Sequence, residues 1–87
     1  MTPPLIHKRA FPLGGTPLGV HEVPGHARTI GRDGDGNLAV WYETDILEYA
    51  FQVLWTGQEL VDGFTLIDCF NHQGSVRHLA VPKARAQ

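Results

Sequence analysis

Cysteine is almost absent from this chain: Cys69 is the one thiol in 87 residues. No internal disulfide can form, which accords with a reducing compartment, and a cysteine-rich metal staple is excluded by the same count. Long hydrophobic runs are missing as well. No stretch approaches the roughly 18–20 consecutive apolar residues of a membrane-spanning helix, and no basic-then-apolar leader stands before a cleavage site. A cytoplasmic protein with no membrane partner is therefore expected. Positive charge is scarce: seven Lys and Arg stand against nine Asp and Glu, a net charge of −2 with histidine neutral. Lys8-Arg9 and Lys83/Arg85 lie towards the two ends, and no basic stripe suited to a phosphate backbone joins them, so nucleic acid is not an expected partner. A Gly-rich phosphate loop, a nucleophile elbow and a paired-carboxylate helix are all lacking, and with them the usual signatures of catalysis.

What is present is turn chemistry between short apolar segments. Hydrophobic residues make up 43% of the chain and charged residues 18%, a balance that supports a folded domain and is too apolar for disorder. The length suits a single domain with a modest core, expected over residues 5–81, with frayed ends at 1–4 and 82–87. Candidate strands run from Leu5 to Phe11, Pro17 to Val23, Ala27 to Gly31 and Leu38 to Glu43. Pro24-Gly25 reads as a type II turn between the second and third, since Pro presets the first corner and Gly accepts the second. Asp33-Gly34-Asp35-Gly36-Asn37 reads as a hairpin turn. Leu38–Glu43 is apolar on both faces and is expected to be a central strand.

Residues 45–56 fit two templates. Asp45-Ile46-Leu47-Glu48 matches a capping box, and Ile46, Leu47, Ala50, Phe51 and Leu54 recur at helical spacing. Leu47, Tyr49, Phe51, Val53 and Trp55 also alternate as one face of a strand, and the aromatic and β-branched residues favour that reading. Phe64–Phe70 and Ser75–Val81 form a closing hairpin across Asn71–Gly74. The expected fold is all-β: a small antiparallel sandwich or partly open barrel of six or seven strands, with 45–56 as a possible helix.

Several constellations invite a chemical reading. The Asp33–Asn37 run begins like a calcium loop but places Leu38 and Thr44 where that loop needs its glycine and its bidentate acid. His21 and His26 flank Pro24-Gly25, and His72 and His78 lie in the last hairpin, yet their spacing requires no metal, and no cofactor is expected. Cys69 lies in an apolar strand as a small buried hydrophobe, with Asp68 facing the other way. No catalytic residue is assigned. Trp41 and Trp55 are the candidate anchors for a protein partner. Arg28, Arg32, Arg77 and His78 are the groups that could hold a phosphate-bearing ligand.

The order of the motifs is itself informative. Lys8-Arg9-Ala10-Phe11 is followed by Val23-Pro24-Gly25-His26-Ala27, a Gly/Asn turn and Leu38-Ala39-Val40-Trp41. Phe51-Gln52-Val53-Leu54-Trp55-Thr56-Gly57 comes next, and Gly74-Ser75-Val76-Arg77-His78-Leu79 closes the series. Over about residues 8 to 80 this order resembles a family of short proteins of unknown function carried mostly by tailed bacteriophages and prophages. The chain departs from that pattern at Arg77 and Ala80, where larger apolar residues are usual. The resemblance implies a small all-β fold of phage origin and brings no catalytic residues with it. The function expected is a non-enzymatic accessory protein that binds and modulates a host bacterial protein, with self-association into a homo-oligomer as a further expectation. The alternative is a protein that binds or sequesters a nucleotide-type signal.

Overall fold

A computed structural model describes residues 4–11 and 19–83 of the chain. It is all-β in those residues: β1 (Ile6–Phe11), β2 (Gly19–Arg32), β3 (Leu38–Trp55), β4 (Phe64–His72) and β5 (Ser75–Pro82) form one antiparallel sheet. Among the described residues the strands form a single sheet and no second one, so the two-sheet sandwich is not formed there. The strand count among the described residues is five, where six or seven were expected, because two pairs of expected strands are continuous. The expected strand that begins at Pro17 lies partly outside the described residues, as do residues 1–3 and 84–87 of the expected frayed ends. Pro82 ends β5 opposite Phe64, and the Lys83 N–H donates to the Gly63 carbonyl at 2.8 Å.

β3 organises the molecule. Its first half lies between β1 on one side (Ile6↔Glu43 to Phe11↔Leu38) and β2 on the other (Gly25↔Thr44 to Arg32↔Leu38). Its second half lies between β2 (Gly19↔Val53 to Val23↔Tyr49) and β5 (Gln52↔Ala80 to Trp55↔Arg77). That position accounts for a strand apolar on both faces: Leu38, Ala39, Val40, Phe51, Val53 and Leu54 are all buried. Residues 45–56 are strand as far as Trp55, so the helical alternative is not adopted. The helical spacing had gathered Ile46 and Leu47 into an apolar stripe, and both are exposed; Ile46 is 95% accessible.

Pro24-Gly25 does not turn the chain. It lies within β2 opposite a wide bulge of β3, where the pairing passes from Val23↔Tyr49 to Gly25↔Thr44 while four residues of β3, Asp45–Glu48, go unmatched. Proline has no N–H to give to the ladder, so it sits where pairing lapses. Gly25 is buried against the neighbouring backbone, and a Cβ there would strike the Glu43 carbonyl. A second register shift leaves Arg28 between Ala27↔Tyr42 and Thr29↔Trp41, and a third leaves Ile67 between Leu66↔Ala80 and Asp68↔Leu79. Bulges of this kind increase local twist. The sheet curls around Val23, Ala27, Ile30, Leu38, Val40, Phe51, Val53, Leu79 and Val81, with Phe11, Tyr42 and Phe70 packed against them.

The curl brings β4 back to β2, and one side chain fastens it. Asp68 accepts from the Thr29 hydroxyl at 2.7 Å and from the Ile30 N–H at 3.0 Å. A β2 backbone donor at the sheet edge is thereby satisfied by a carboxylate in place of a strand. The Asp33–Asn37 turn is as anticipated: Asp33 Oδ1 accepts from the Asp35 and Asn37 N–H groups, both at 2.9 Å. Its other oxygen takes Lys8 Nζ at 3.0 Å. These bonds hold the Asp33 carboxyl below its ordinary range, the Asn37 N–H and Lys8 being the main causes. The first carboxylate that a calcium loop would aim at a cation is thus taken up by the loop's own backbone and by Lys8.

Candidate functional site

The candidate site is the continuation of the core's inner face to one end of the sheet. Side chains two residues apart on a strand share a face, so Val53 leads to Trp55, Leu79 to Arg77 and Ile30 to Arg32. Phe70 stands directly opposite Arg77, and His72 opposite Ser75. The turn between β4 and β5 fixes that register. It consists of Gln73 at φ 52° and Gly74 at φ 84°, two successive left-handed residues as a tight two-residue hairpin requires. Trp55 is held from the backbone, its N–H donating to Gln58 Oε1 at 2.7 Å and its carbonyl accepting the Gln58 N–H at 3.1 Å. Buried Gln52 pins the same loop across the outer face, donating to the Glu59 carbonyl and accepting the Val61 N–H.

Cations and rings alternate at this end. The Arg77 guanidinium carbon lies 4.7 Å from the centre of the Trp55 ring, and that of Arg32 lies 5.9 Å from the centre of Phe70. Both distances are within cation–π range. The Phe70 and His72 rings are 6.3 Å apart. Trp55 remains 45% exposed even with Arg77 against it, whereas His72 is 8% exposed. Burial depresses the His72 pKa, and the positive charges of Arg32 and Arg77 depress it further. Neutral imidazole is thus the resident form.

Among the buried polar side-chain atoms of the described residues, satisfaction fails here and nowhere else. The buried side-chain polar atoms without a hydrogen-bond partner are His72 Nδ1, Arg77 Nε and Arg77 Nη1. Native proteins leave few such groups, and each is costly. The ion pairs are Lys8–Asp33, His26–Asp45 and Arg28–Glu43, so neither Arg32 nor Arg77 has a carboxylate partner among the described residues. Asp68, on the same face of β4, is fully engaged by Thr29, Ile30 and the Cys69 N–H. Burial alone would raise its carboxyl pKa, but those three donors together hold it below the ordinary range.

The sequence candidates are therefore divided. Arg32, Arg77 and Trp55 come together. Arg28 is drawn to Glu43 at 2.7 Å. His78 neighbours Arg77 in the chain but faces the other way, with Nε2 2.8 Å from the Thr56 hydroxyl. Trp41 is half-buried on the outer face beside Gly31, where an added Cβ would lie 3.4 Å from its ring. Cys69 is exposed, contrary to its expected burial, because its parity on β4 points outward and away from Asp68. Phe70 and His72 were not among the candidate binding residues, His72 having been weighed only as a metal ligand. Counting back from a two-residue turn at Gln73-Gly74 would have set both beside Arg77.

A second polar group sits on the bulge. His26 Nε2 and Asp45 Oδ2 are 3.1 Å apart, the Tyr49 hydroxyl donates to the same oxygen at 3.3 Å, and the His26 and Tyr49 rings stack at 4.2 Å. The Ile46 N–H and then His26 hold the Asp45 carboxyl below its ordinary range. These groups satisfy one another. Among the described residues no three His, Cys, Asp or Glu side chains are placed to hold a metal ion, and no helix is long and apolar enough to cross a membrane. No protein-family model matches the chain, and neither the curated proteins nor the solved structures contain a match to it.

Proposed function

We propose that the chain is a non-enzymatic binding protein that works through the Trp55–Arg77 end of its sheet. The observation that carries this reading is an exposed Trp55 with the Arg77 guanidinium stacked on it at 4.7 Å. Tryptophan and arginine are the residues most enriched among interface anchors, and Trp55 offers a large ring already braced by its neighbour. The resemblance to short phage proteins makes the partner a host bacterial protein met in the cytoplasm. Self-association through the outer edge of β1 belongs to the same reading, since unpaired edges favour strand addition.

The test is affinity capture from bacterial lysate with the wild-type chain and Trp55→Ala side by side. One stoichiometric protein retained by the wild type and lost by Trp55→Ala, with both chains folded by circular dichroism, is the expected result. Capture that is indifferent to Trp55→Ala would sink the proposal. A second reading, a protein that holds a nucleotide-type ligand, is favoured by the unpaired guanidinium groups of Arg32 and Arg77 at the same end.

A further inference from the structure

Two cations, one buried imidazole and no counter-charge occupy the end of the sheet where the core face runs out. Arg32 enters from β2, His72 from β4 and Arg77 from β5, and both guanidinium groups are near enough to His72 to oppose its protonation. Arg77 Nε and Nη1 and His72 Nδ1 are buried without partners. Leaving a charged donor unsatisfied costs more than leaving a neutral one, and removing the charge altogether is often neutral or stabilising. A polar cluster of this kind has no rationale as a fold element, since Leu79 and Val81 fill the equivalent inner positions further along β5 with apolar atoms. Its chemistry is completed by an acceptor that the chain does not supply.

The charge of the missing group follows from the charges present. Two guanidinium groups call for about two negative charges. A carboxylate or a phosphodiester carries one, while a phosphate monoester carries roughly −1.5 to −2 at neutral pH together with three strong acceptor oxygens. Arginine is also the side chain best suited to a planar, multi-point grip on phosphate. Arg32 is exposed and Arg77 is half-buried, while the three unpartnered nitrogens are themselves covered, so an acceptor reaches them only as the side chains above them move aside. The flanking rings of Phe70 and Trp55 would border whatever the phosphate is attached to, Trp55 with nearly half its surface free.

We propose that Arg32, His72 and Arg77 form an oxyanion site that takes a phosphate monoester. The proposal rests on the reading of this end as the binding face and specifies the chemistry of what is bound there. The phosphate sits between the two guanidinium groups, with the buried imidazole beneath it and Trp55 at the rim. Arg28 and His78 take no part, because Arg28 is paired with Glu43 and His78 lies on the opposite face.

The experiment is an NMR titration of the full chain with inorganic phosphate and, separately, with AMP, observing the His72 ring and the Trp55 indole N–H. Both signals should move, and His72 should titrate at higher pH with phosphate present, since a neighbouring anion favours the imidazolium. Arg77→Met and Arg32→Gln should each weaken binding by about tenfold or more, as loss of a charge-assisted hydrogen bond does. Arg28→Gln should leave it unchanged. AMP binding more tightly than phosphate supports the site and names a phosphate monoester that carries an aromatic base as its source; equal binding supports it with free phosphate as the source. Unmoved His72 and Trp55 signals at millimolar ligand, or equal weakening by Arg28→Gln and Arg77→Met, would overturn the site. Should Arg77→Met fail to fold, Arg32→Gln decides the question alone. The result is separable from the capture experiment: absent phosphate binding with Trp55-dependent capture intact removes the oxyanion site and keeps the binding face, and the reverse outcome removes the protein partner and keeps the site.

Discussion

The bulge lies within the β2–β3 hairpin, the arginine-rich end is shared between that hairpin and β4–β5, and the two treat polar groups in opposite ways. At the bulge, Asp45, His26 and Tyr49 bond and stack with one another, and Gly25 lets two backbones touch. At the other end Arg32 and Arg77 face aromatic rings without carboxylates, and three buried nitrogens lack partners. A satisfied cluster is explained by the fold that contains it. An unsatisfied one carries a free-energy penalty that the fold alone does not justify, and it is where a ligand is to be sought.

The contrast can be broken most forcefully at Gly25. Gly25→Ala drives a methyl into the Glu43 carbonyl and should cost about 3 kcal/mol or more, read as a fall in the urea midpoint. A loss under about 1 kcal/mol would mean that the bulge yields easily and is no rigid element. Next in size is Asp68→Ala, which strips the partner from the Ile30 N–H and the Thr29 hydroxyl and should cost about 2 kcal/mol. Asp68→Asn, which keeps an acceptor, should recover part of that loss.

Acid sharpens the comparison further. His72 is held neutral in the folded chain, so the unfolded chain binds its proton first. Stability from this source is complete above about pH 6.5, the unfolded histidine value, and declines as pH falls below it. Asp45 has the opposite character: its depressed pKa keeps its contribution intact until pH falls below about 3.9, the unfolded aspartate value. Melting temperatures at pH 7.5 and pH 5.5 should therefore differ in the wild type and converge in His72→Gln, while Asp45→Asn leaves the difference in place. The smallest effect is the most telling. Arg77→Met should be neutral or stabilising by up to about 1 kcal/mol, since it replaces an unpaired, half-buried charge with an apolar chain. A clear destabilisation would show that Arg77 serves the fold.

Much of this architecture could be read from residue order. β1, both strands of the last hairpin and the central place of Leu38–Glu43 all appear at about the expected positions, because their alternation and flanking turns agree. Pro24-Gly25 misled for a physical reason. The dipeptide has the same local preferences in a turn and in a bulge, and what decides is β3, which passes alongside and leaves four of its own residues unpaired. Residues 45–56 were balanced between templates for a related reason, since the helical stripe borrowed Ile46 and Leu47 from the unpaired stretch. At the site, Arg32, Arg77 and Trp55 were identifiable as residue types suited to binding. Their convergence was not: Trp55 meets Arg77 through the non-local β3–β5 pairing, and Phe70 and His72 join them through a register set by Gln73 in a left-handed conformation that non-glycine residues seldom adopt. The reading with a four-residue connection at Asn71–Gly74 shifts every cross-strand partner and separates Phe70 from Arg77.

The narrow seam between β3 and β5 has a kinetic consequence. Ladder pairing there extends only from Gln52↔Ala80 to Trp55↔Arg77, and Asp68 supplies the clasp on the far side. The β2–β3 and β4–β5 hairpins are each local in sequence and should behave as separate cooperative units, with the seam opening before either hairpin melts. Amide exchange at the β5-facing N–H groups of Gln52–Leu54 would then be faster than at Val40 in the β2–β3 ladder. Trp55 and Arg32 belong to one unit, and Phe70, His72 and Arg77 to the other. The arginine-rich end exists as a site only while the seam is shut, and a molecule bridging Arg32 and Arg77 would slow the breathing of the whole domain.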